Sequence, residues 1–180
     1  MATHEAGSGS EAAEPGASRE AGDTAVSTQG KAANLSIALD AKGELVLNDV
    51  TVFEKGSASK LVERVGPPTR EKAHKRGETS LFHDKDGFVL WAVDGEVKGV
   101  GVNFNWDGDE KFPEASFPGN LVLGALKVGR TTTPAQFESL PGYSVKCQAG
   151  AMCAGKSESV KFLAAFDKGV ITQLSFLPVK

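Results

Sequence analysis

From Leu35 onward, apolar and polar residues alternate in short runs separated by turn-forming residues, a pattern typical of β-strands. Turns such as Asp94-Gly95-Glu96 are short, which favours antiparallel pairing because parallel neighbours need long crossovers. The runs predicted as strands span residues 35–40, 45–47, 79–83, 88–93, 97–105, 121–123, 143–147, 160–166 and 170–177.

Part of this pattern returns along the chain. Residues 45–47 (Leu-Val-Leu) recur as residues 121–123, an offset of 76, and one short helix is predicted after each copy. Matching residues mark both helices at the same offset. They are Ser57 and Thr133 as N-caps, Gly66 and Gly142 as left-handed residues at the helix ends, and the apolar residues Leu61 and Phe137. Leu61 with Val65, and Phe137 with Leu140, give each helix one narrow apolar stripe.

These elements predict an α+β fold made of two tandem strand–helix–strand–strand–strand units that form one extended antiparallel sheet. The two units span residues 35–105 and 120–177 and lie in a single globular domain, residues 35–180. Because two helices cannot cover both faces of so many strands, we expect them on one face only.

The charge of the chain is unevenly distributed. The 180 residues include 20 Lys+Arg and 23 Asp+Glu, for a net charge of -3. Residues 1–34 contain two basic and five acidic residues, so the imbalance lies in this segment and the rest is neutral. That neutrality argues against non-specific binding to nucleic acid.

Residues 1–34 contain no Phe, Trp, Tyr, Leu or Ile and are predicted to be a disordered tail. Their small residues resemble the flexible tethers that follow the lipidated cysteine of bacterial lipoproteins; an unstructured terminus without that role is the alternative. No export signal precedes the segment, so the chain is either cytoplasmic or an exported protein whose signal has been removed. No apolar run has transmembrane length.

No catalytic or cofactor motif is present. The sequence lacks a phosphate-binding loop and a Gly-x-Ser-x-Gly elbow, and it identifies no catalytic partner for His74 or His83. Residues 84–87 and 107–110 are acidic but lack the ligand spacing of a calcium loop. We therefore predict a protein that is not an enzyme and has no cofactor or metal.

Two cysteines, Cys147 and Cys153, have a Cys-x5-Cys spacing that suits neither a thioredoxin-type site nor zinc. A disulfide that closes the loop between two strands is predicted, with two reduced thiols as the alternative. Such a bond would contribute roughly 2 kcal/mol and would indicate an oxidising compartment such as the periplasm.

Two segments are predicted to bind a protein partner. The first is a basic run in the loop that joins the first helix to the sheet: Arg70, Lys72, His74, Lys75 and Arg76. The second, in the long connection from residue 106 to 119, places aromatic residues among charges, as interaction hot spots do: Trp106, Asp107, Asp109, Glu110 and Phe112. The alternatives are a solvated charge run and an aromatic loop that packs on the core.

Two strand-and-helix units in one antiparallel sheet resemble the layout of β-lactamase inhibitory proteins. The residues from Leu61-Val62-Glu63-Arg64-Val65-Gly66 to Phe82-His83-Asp84 and Gly87-Phe88 are also similar to bacterial immunity-type proteins that pair with secreted antibacterial effectors, such as those of type VI secretion. The resemblance implies a periplasmic inhibitor that binds a cognate effector and occludes its active site. An envelope lipoprotein that acts as an adaptor or assembly factor is the alternative.

Overall fold

The computed structural model of the protein describes residues 35–40 and 42–180. The predicted tail at residues 1–34 therefore lies outside the described residues. The described chain forms thirteen strands, two short α-helices, α1 Ser57–Val65 and α2 Pro134–Glu138, and a 3-10 turn at Lys75–Gly77. The strands are β1 Ser36–Leu39, β2 Leu45–Leu47, β3 Val50–Thr51, β4 Arg70–Ala73, β5 Glu78–His83, β6 Phe88–Val93, β7 Glu96–Asn103, β8 Asn120–Leu123, β9 Leu126–Val128, β10 Lys146–Gln148, β11 Met152–Lys156, β12 Val160–Asp167 and β13 Val170–Pro178.

The strands form two sheets, so the prediction of one extended sheet is wrong, although the mainly antiparallel pairing is confirmed. An eight-stranded antiparallel sheet has the order β10-β11-β12-β13-β7-β6-β5-β4. A five-stranded sheet has the order β3-β2-β1-β8-β9, in which β1 and β8 are parallel. The sequence predicts β1, β2 and β8, but apolar patterning does not show which strands pair, so their separation into a second sheet was missed.

Each half of the chain contributes a hairpin, a helix and then four consecutive strands. In the first half these are β2–β3, α1 and β4–β7; in the second they are β8–β9, α2 and β10–β13. The predicted units thus omitted a strand of each hairpin and the strands β4 and β11. The duplication of the sequence itself stays a prediction.

The core lies between the two sheets and includes both helices. Successive side chains of β6 point to opposite sides of the large sheet and show which side faces the core. Phe88 and Leu90 are in the main core cluster, whereas Val89 and Trp91 belong to a separate cluster on the opposite side. We call that opposite side of the eight-stranded sheet the outer face.

The helix ends agree with the sequence only in part. Thr133 is the N-cap of α2 and forms a capping box with Gln136, as its position predicts. Ser57 is not an N-cap: α1 is capped by Gly56, and the buried Ser57 hydroxyl donates to the carbonyl of Val52. Gly142 does not end a helix either, because α2 stops at Glu138.

Neither helix of the described chain has the length and apolar character needed to cross a bilayer.

Candidate functional site

The basic run at residues 70–76 begins with an edge strand, which corrects its predicted assignment to a loop. Residues Arg70–Ala73 form β4, the last strand of the large sheet, paired only with β5. All four residues are exposed, so β4 has none of the apolar alternation by which strands are recognised. Arg70 and Lys72 are paired with Phe82 and Ser80, and their side chains therefore project from the outer face.

The long connection from β7 to β8 crosses the outer face. The buried amide of Asn103 fixes it by donating to the carbonyl oxygens of Glu114, at 3.1 Å, and Ala115, at 3.0 Å. Nearer to β7, the side chain of Gln173 donates to the Asp107 carboxylate at 2.8 Å. These hydrogen bonds hold the loop against the sheet at two points, near Asp107 and at Glu114 and Ala115.

The aromatic residues of this loop face in different directions. Phe112 is 7% exposed and packs with Phe82, Val89 and Trp91 in the outer-face cluster. Phe117 is also buried and packs in the main core. Trp106, in contrast, is 45% exposed. The loop therefore uses its phenylalanines for anchoring and presents Trp106 to solvent.

Two cavities of about 710 and 680 Å³ lie between β4 and this loop, and we call them together the groove. Lys72 from β4 and Glu110 from the loop line both cavities. Of the predicted binding residues, those that line the groove are Arg70, Lys72, His74, Trp106, Asp109, Glu110 and Phe112; Lys75, Arg76 and Asp107 line neither cavity. Two segments distant in sequence thus share one site.

The floor of the groove is aromatic. The Trp91 ring spans two glycines of β7: a Cβ built on Gly99 would lie 2.6 Å from Trp91 Cε3, and one on Gly101 would lie 2.7 Å from Trp91 Cη2. The edge of Trp91 meets Phe112 in a T-shaped contact, with ring centroids 5.8 Å apart. Because Gly99 and Gly101 have no side chains, the Trp91 indole lies close to the backbone of β7.

Arg70 is held in position on the β4 side of the groove. Its guanidinium lies 3.7 Å from the Phe82 ring centroid and makes two hydrogen bonds with the Asp84 carboxylate, at 3.2 and 3.0 Å. The hydrogen bond from Arg70, with another from Thr69, lowers the pKa of Asp84 against the opposing effect of partial burial. A charge fixed in this way loses little side-chain entropy on binding.

His74 and Ser80 meet at the first cavity, with Nε2 and Oγ 3.0 Å apart. Nucleophilic catalysis requires a third group that orients the base, and no carboxylate of the described residues hydrogen-bonds His74. The other histidine, His83, is buried and stacks on Phe88 at a centroid distance of 4.2 Å. Burial lowers the pKa of His83 to about 4 and so keeps the ring neutral.

The acidic clusters are used for local hydrogen bonds. Asp107 accepts the backbone N–H of Asp109 at 3.2 Å, and Asp109 accepts that of Lys111 at 3.0 Å. Among the residues that the structure describes, no three His, Cys, Asp or Glu side chains come together to form a metal-binding group.

The predicted disulfide is confirmed. Cys147 on β10 and Cys153 on β11 are directly paired, with Cα atoms 4.0 Å apart, and are joined by the bond. Both sulfur atoms lie near the Pro134 carbonyl, at 3.8 and 4.0 Å, where α2 begins. The disulfide thus fixes an edge strand to the sheet beside α2, and disulfides of this kind persist in oxidising compartments.

The sequence analysis missed a second surface, on the outer face of β10–β13, which we call the open face. Five large apolar side chains are exposed in the described chain, and three lie here: Met152 at 38%, Leu163 at 42% and Leu177 at 36%. Leu163 is the residue from which this surface could have been predicted: it is apolar but occupies an outward position of β12, between Lys161 and Ala165. An apolar residue at an outward position favours a binding surface.

No known protein family matches the sequence, and no curated protein does either. Several solved structures are distantly similar, among them the following two. One is a cysteine-rich secretory protein from Staphylococcus aureus, with 14% identity and a TM-score of 0.45, where the match covers 71% of this chain and 43% of that protein. The other is an extracellular protein containing a SCP domain from Bacillus anthracis, with 9% identity, a TM-score of 0.45 and coverage of 66% and 42%. The chain spans less than half the length of each, and a likeness of this size carries no information about function.

Proposed function

We propose that the protein is a non-enzymatic inhibitor that binds a secreted antibacterial effector and occludes its active site, as an immunity protein does. The observation that carries this proposal is the meeting of the two predicted binding segments, residues 70–76 and 106–112, at one groove. A site that is assembled from two distant segments on a rigid sheet suits recognition of a single partner.

The chemistry of the groove supports a protein partner. Trp106 offers an exposed aromatic anchor, and Arg70 is already oriented by Asp84 and Phe82. Trp and Arg are enriched among the residues that dominate binding energy in protein interfaces. Charges of both signs surround them, from Lys72 on β4 to Glu110 on the loop, and complementary charges set partner choice and association rate.

The disulfide supports an oxidising compartment, and we place the protein in the periplasm. In this proposal residues 1–34 act as a tether between a lipid anchor of the precursor and the folded domain. An effector that acts in the periplasm would then meet its inhibitor at the membrane.

The proposal predicts that an effector gene neighbours the gene of this protein, and the test uses the product of that neighbouring gene. We expect co-production of this protein in the periplasm to protect cells from the effector, and the purified pair to bind with nanomolar affinity. Trp106→Ala should weaken binding about 30-fold, the effect of losing a hot-spot residue. Lys127→Glu, an exposed substitution on β9 of the other sheet, is the control. Cells that die despite periplasmic co-production would contradict the proposal.

A further inference from the structure

The open face is basic as well as apolar. Its three lysines, Lys146, Lys156 and Lys161, are exposed and make no ion pair within the described residues. In the strand register Lys161 is paired with Lys156 and with Leu177, and Lys146 is paired with Ala154, which in turn is paired with Leu163. An exposed cluster of apolar side chains surrounded by like charges marks an interaction site rather than an ordinary solvated surface.

The strand register extends this chemistry across the whole sheet. One row of paired residues on the outer face crosses all eight strands: Arg70, Phe82, Val89, Gly101, Ser175, Leu163, Ala154 and Lys146. This row begins and ends with a cation and contains no carboxylate. Carboxylates near the open half belong to Asp107, which accepts from the Gln173 side chain of β13, to Glu158, in the turn after β11, and to Asp167, at the last position of β12.

The open face and the groove are continuous. Leu177 lines the first cavity of the groove and also belongs to the open face, where it pairs with Lys161. A Cβ built on Gly99 would lie 3.0 Å from Leu177 Cδ2, so the leucine packs beside the floor of the groove.

The outer face is large enough for a protein partner that covers more than the groove. Eight strands spaced about 4.8 Å apart span roughly 34 Å. A stable interface buries about 800 Å² on each partner, more than the groove can supply by itself. A protein that binds the groove through an interface of this size must extend beyond it, and the open face is the adjoining surface that Leu177 connects to the groove.

From these observations we infer that the open face is the second half of the binding surface and that it receives an acidic segment of the partner with exposed apolar side chains. This inference rests on the proposed function, because the groove and the open face are to bind the same effector. The groove has charges of both signs, whereas the charged residues in the β10–β13 rows that contain Leu163 and Leu177 are lysines. The open face therefore selects for the charge of the partner.

The test is a variant of the full-length chain in which Lys146, Lys156 and Lys161 are all changed to Glu. We expect its affinity for the neighbouring effector to fall at least about tenfold, mainly through a slower association rate whose salt dependence is reduced. Leu163→Gln should also weaken binding, through faster dissociation. Lys127→Glu is the matched control, and circular dichroism with thermal melting verifies that each variant is folded.

The possible failures are distinct. If the effector binds and cells are protected, but the triple variant binds like the wild type, the inference is wrong and the proposed function stands. If the effector does not bind at all, the proposed function is wrong, and a random peptide library displayed on phage tests the open face alone. Enrichment of peptides that contain Asp or Glu beside Leu or Phe, lost with the triple variant, would support the inference; enrichment without such a bias would contradict it.

An anionic lipid surface is the other class of partner with this chemistry. Sedimentation with vesicles of phosphatidylglycerol and phosphatidylcholine tests it directly. Binding to these vesicles that the triple variant abolishes, without binding of acidic peptides, would overturn the inference of a protein partner.

Discussion

The Trp91 indole rests on Gly101, where a Cβ atom would lie 2.7 Å from the ring. The same Cβ would lie 2.8 Å from Phe112 Cε1 and 2.9 Å from Val89 Cγ1. One missing side chain therefore lets β6, β7 and the crossing loop pack together, and the floor of the groove depends on it.

We expect Gly101→Ala to destabilise the protein by about 1–3 kcal/mol, the typical effect of overpacking. Alanine otherwise has the lower entropy cost in a strand, so a loss of stability identifies the steric conflict. Urea unfolding gives the free energy. Gly129→Ala is the control because a Cβ there meets no atom within 4 Å. Equal stability of the two variants would show that Trp91 does not depend on the glycine.

His83 should make the protein less stable in mild acid. Its pKa is about 4 in the folded protein and near 6.5 when unfolded, so the unfolded chain binds a proton first as the pH falls. Stability is thus fully present above pH 6.5 and is lost progressively as the pH falls towards 4. The loss from this residue between pH 7 and 5 is on the order of 2 kcal/mol.

His83→Phe tests this pH dependence, because it retains a ring against Phe88 but cannot titrate. His83 Nε2 has no hydrogen-bond partner in the described residues, so the change removes no such bond. Urea midpoints measured from pH 7 to 5 should vary less in the variant than in the wild type. Parallel curves for the two proteins would argue against His83 as the source.

Arg70→Lys should raise the pKa of Asp84 towards its ordinary range, because lysine cannot reproduce the two hydrogen bonds of the guanidinium. A lowered pKa means that the pair stabilises the fold above about pH 4 and that this contribution is lost as the pH falls through the lowered value. Because both side chains are partly exposed, we expect less than about 1 kcal/mol.

An NMR titration of the Asp84 carboxyl carbon measures this pKa directly. Arg64→Lys is the matched control, since Arg64 pairs with a different aspartate, Asp49, at 3.0 Å. The Asp84 pKa should be unchanged in that variant. The same pKa in the Arg70→Lys variant and the wild type would exclude Arg70 as its main determinant.

Reduction of the disulfide should lower the free energy of unfolding by about 2 kcal/mol, the chain-entropy value for so small a ring. The loss should be concentrated in β10 and β11, which the bond joins, and in α2, which begins beside it. Hydrogen exchange with and without a reductant locates it. The Cys147→Ala, Cys153→Ala double variant provides the control, because its exchange should not respond to reductant.

Apolar alternation predicted the central strands well and the edges poorly. The bounds of β6 agree with the sequence residue for residue, because a continuous run of six apolar residues lies between two turns. In β4 every residue is exposed and charged or small, so its pairing has no signature in the sequence. Likewise, the sequence identified the groove segments by their composition, whereas their meeting depends on the strand order.

Ser57 shows a similar limit on a smaller scale. A serine before a helical stretch is an ordinary N-cap, but here its hydroxyl bonds to the carbonyl of Val52 in the interior. Sequence identifies residues that can form such a bond, and only the tertiary structure determines which of them do. The open face was missed for a related reason, since its apolar residues come from three strands and meet only in the register of the sheet.

The pairing of β7 with β13 has a consequence for folding in the cell. The two strands at the centre of the large sheet are about 70 residues apart in sequence, and β7 is synthesised long before its partner. Until β13 arrives, the hydrogen-bonding groups on that side of β7 have no strand to pair with, and exposed strand edges are prone to aggregation. The nascent chain therefore needs protection during this interval, and a translocating chain would receive it from the chaperones that keep it unfolded until export.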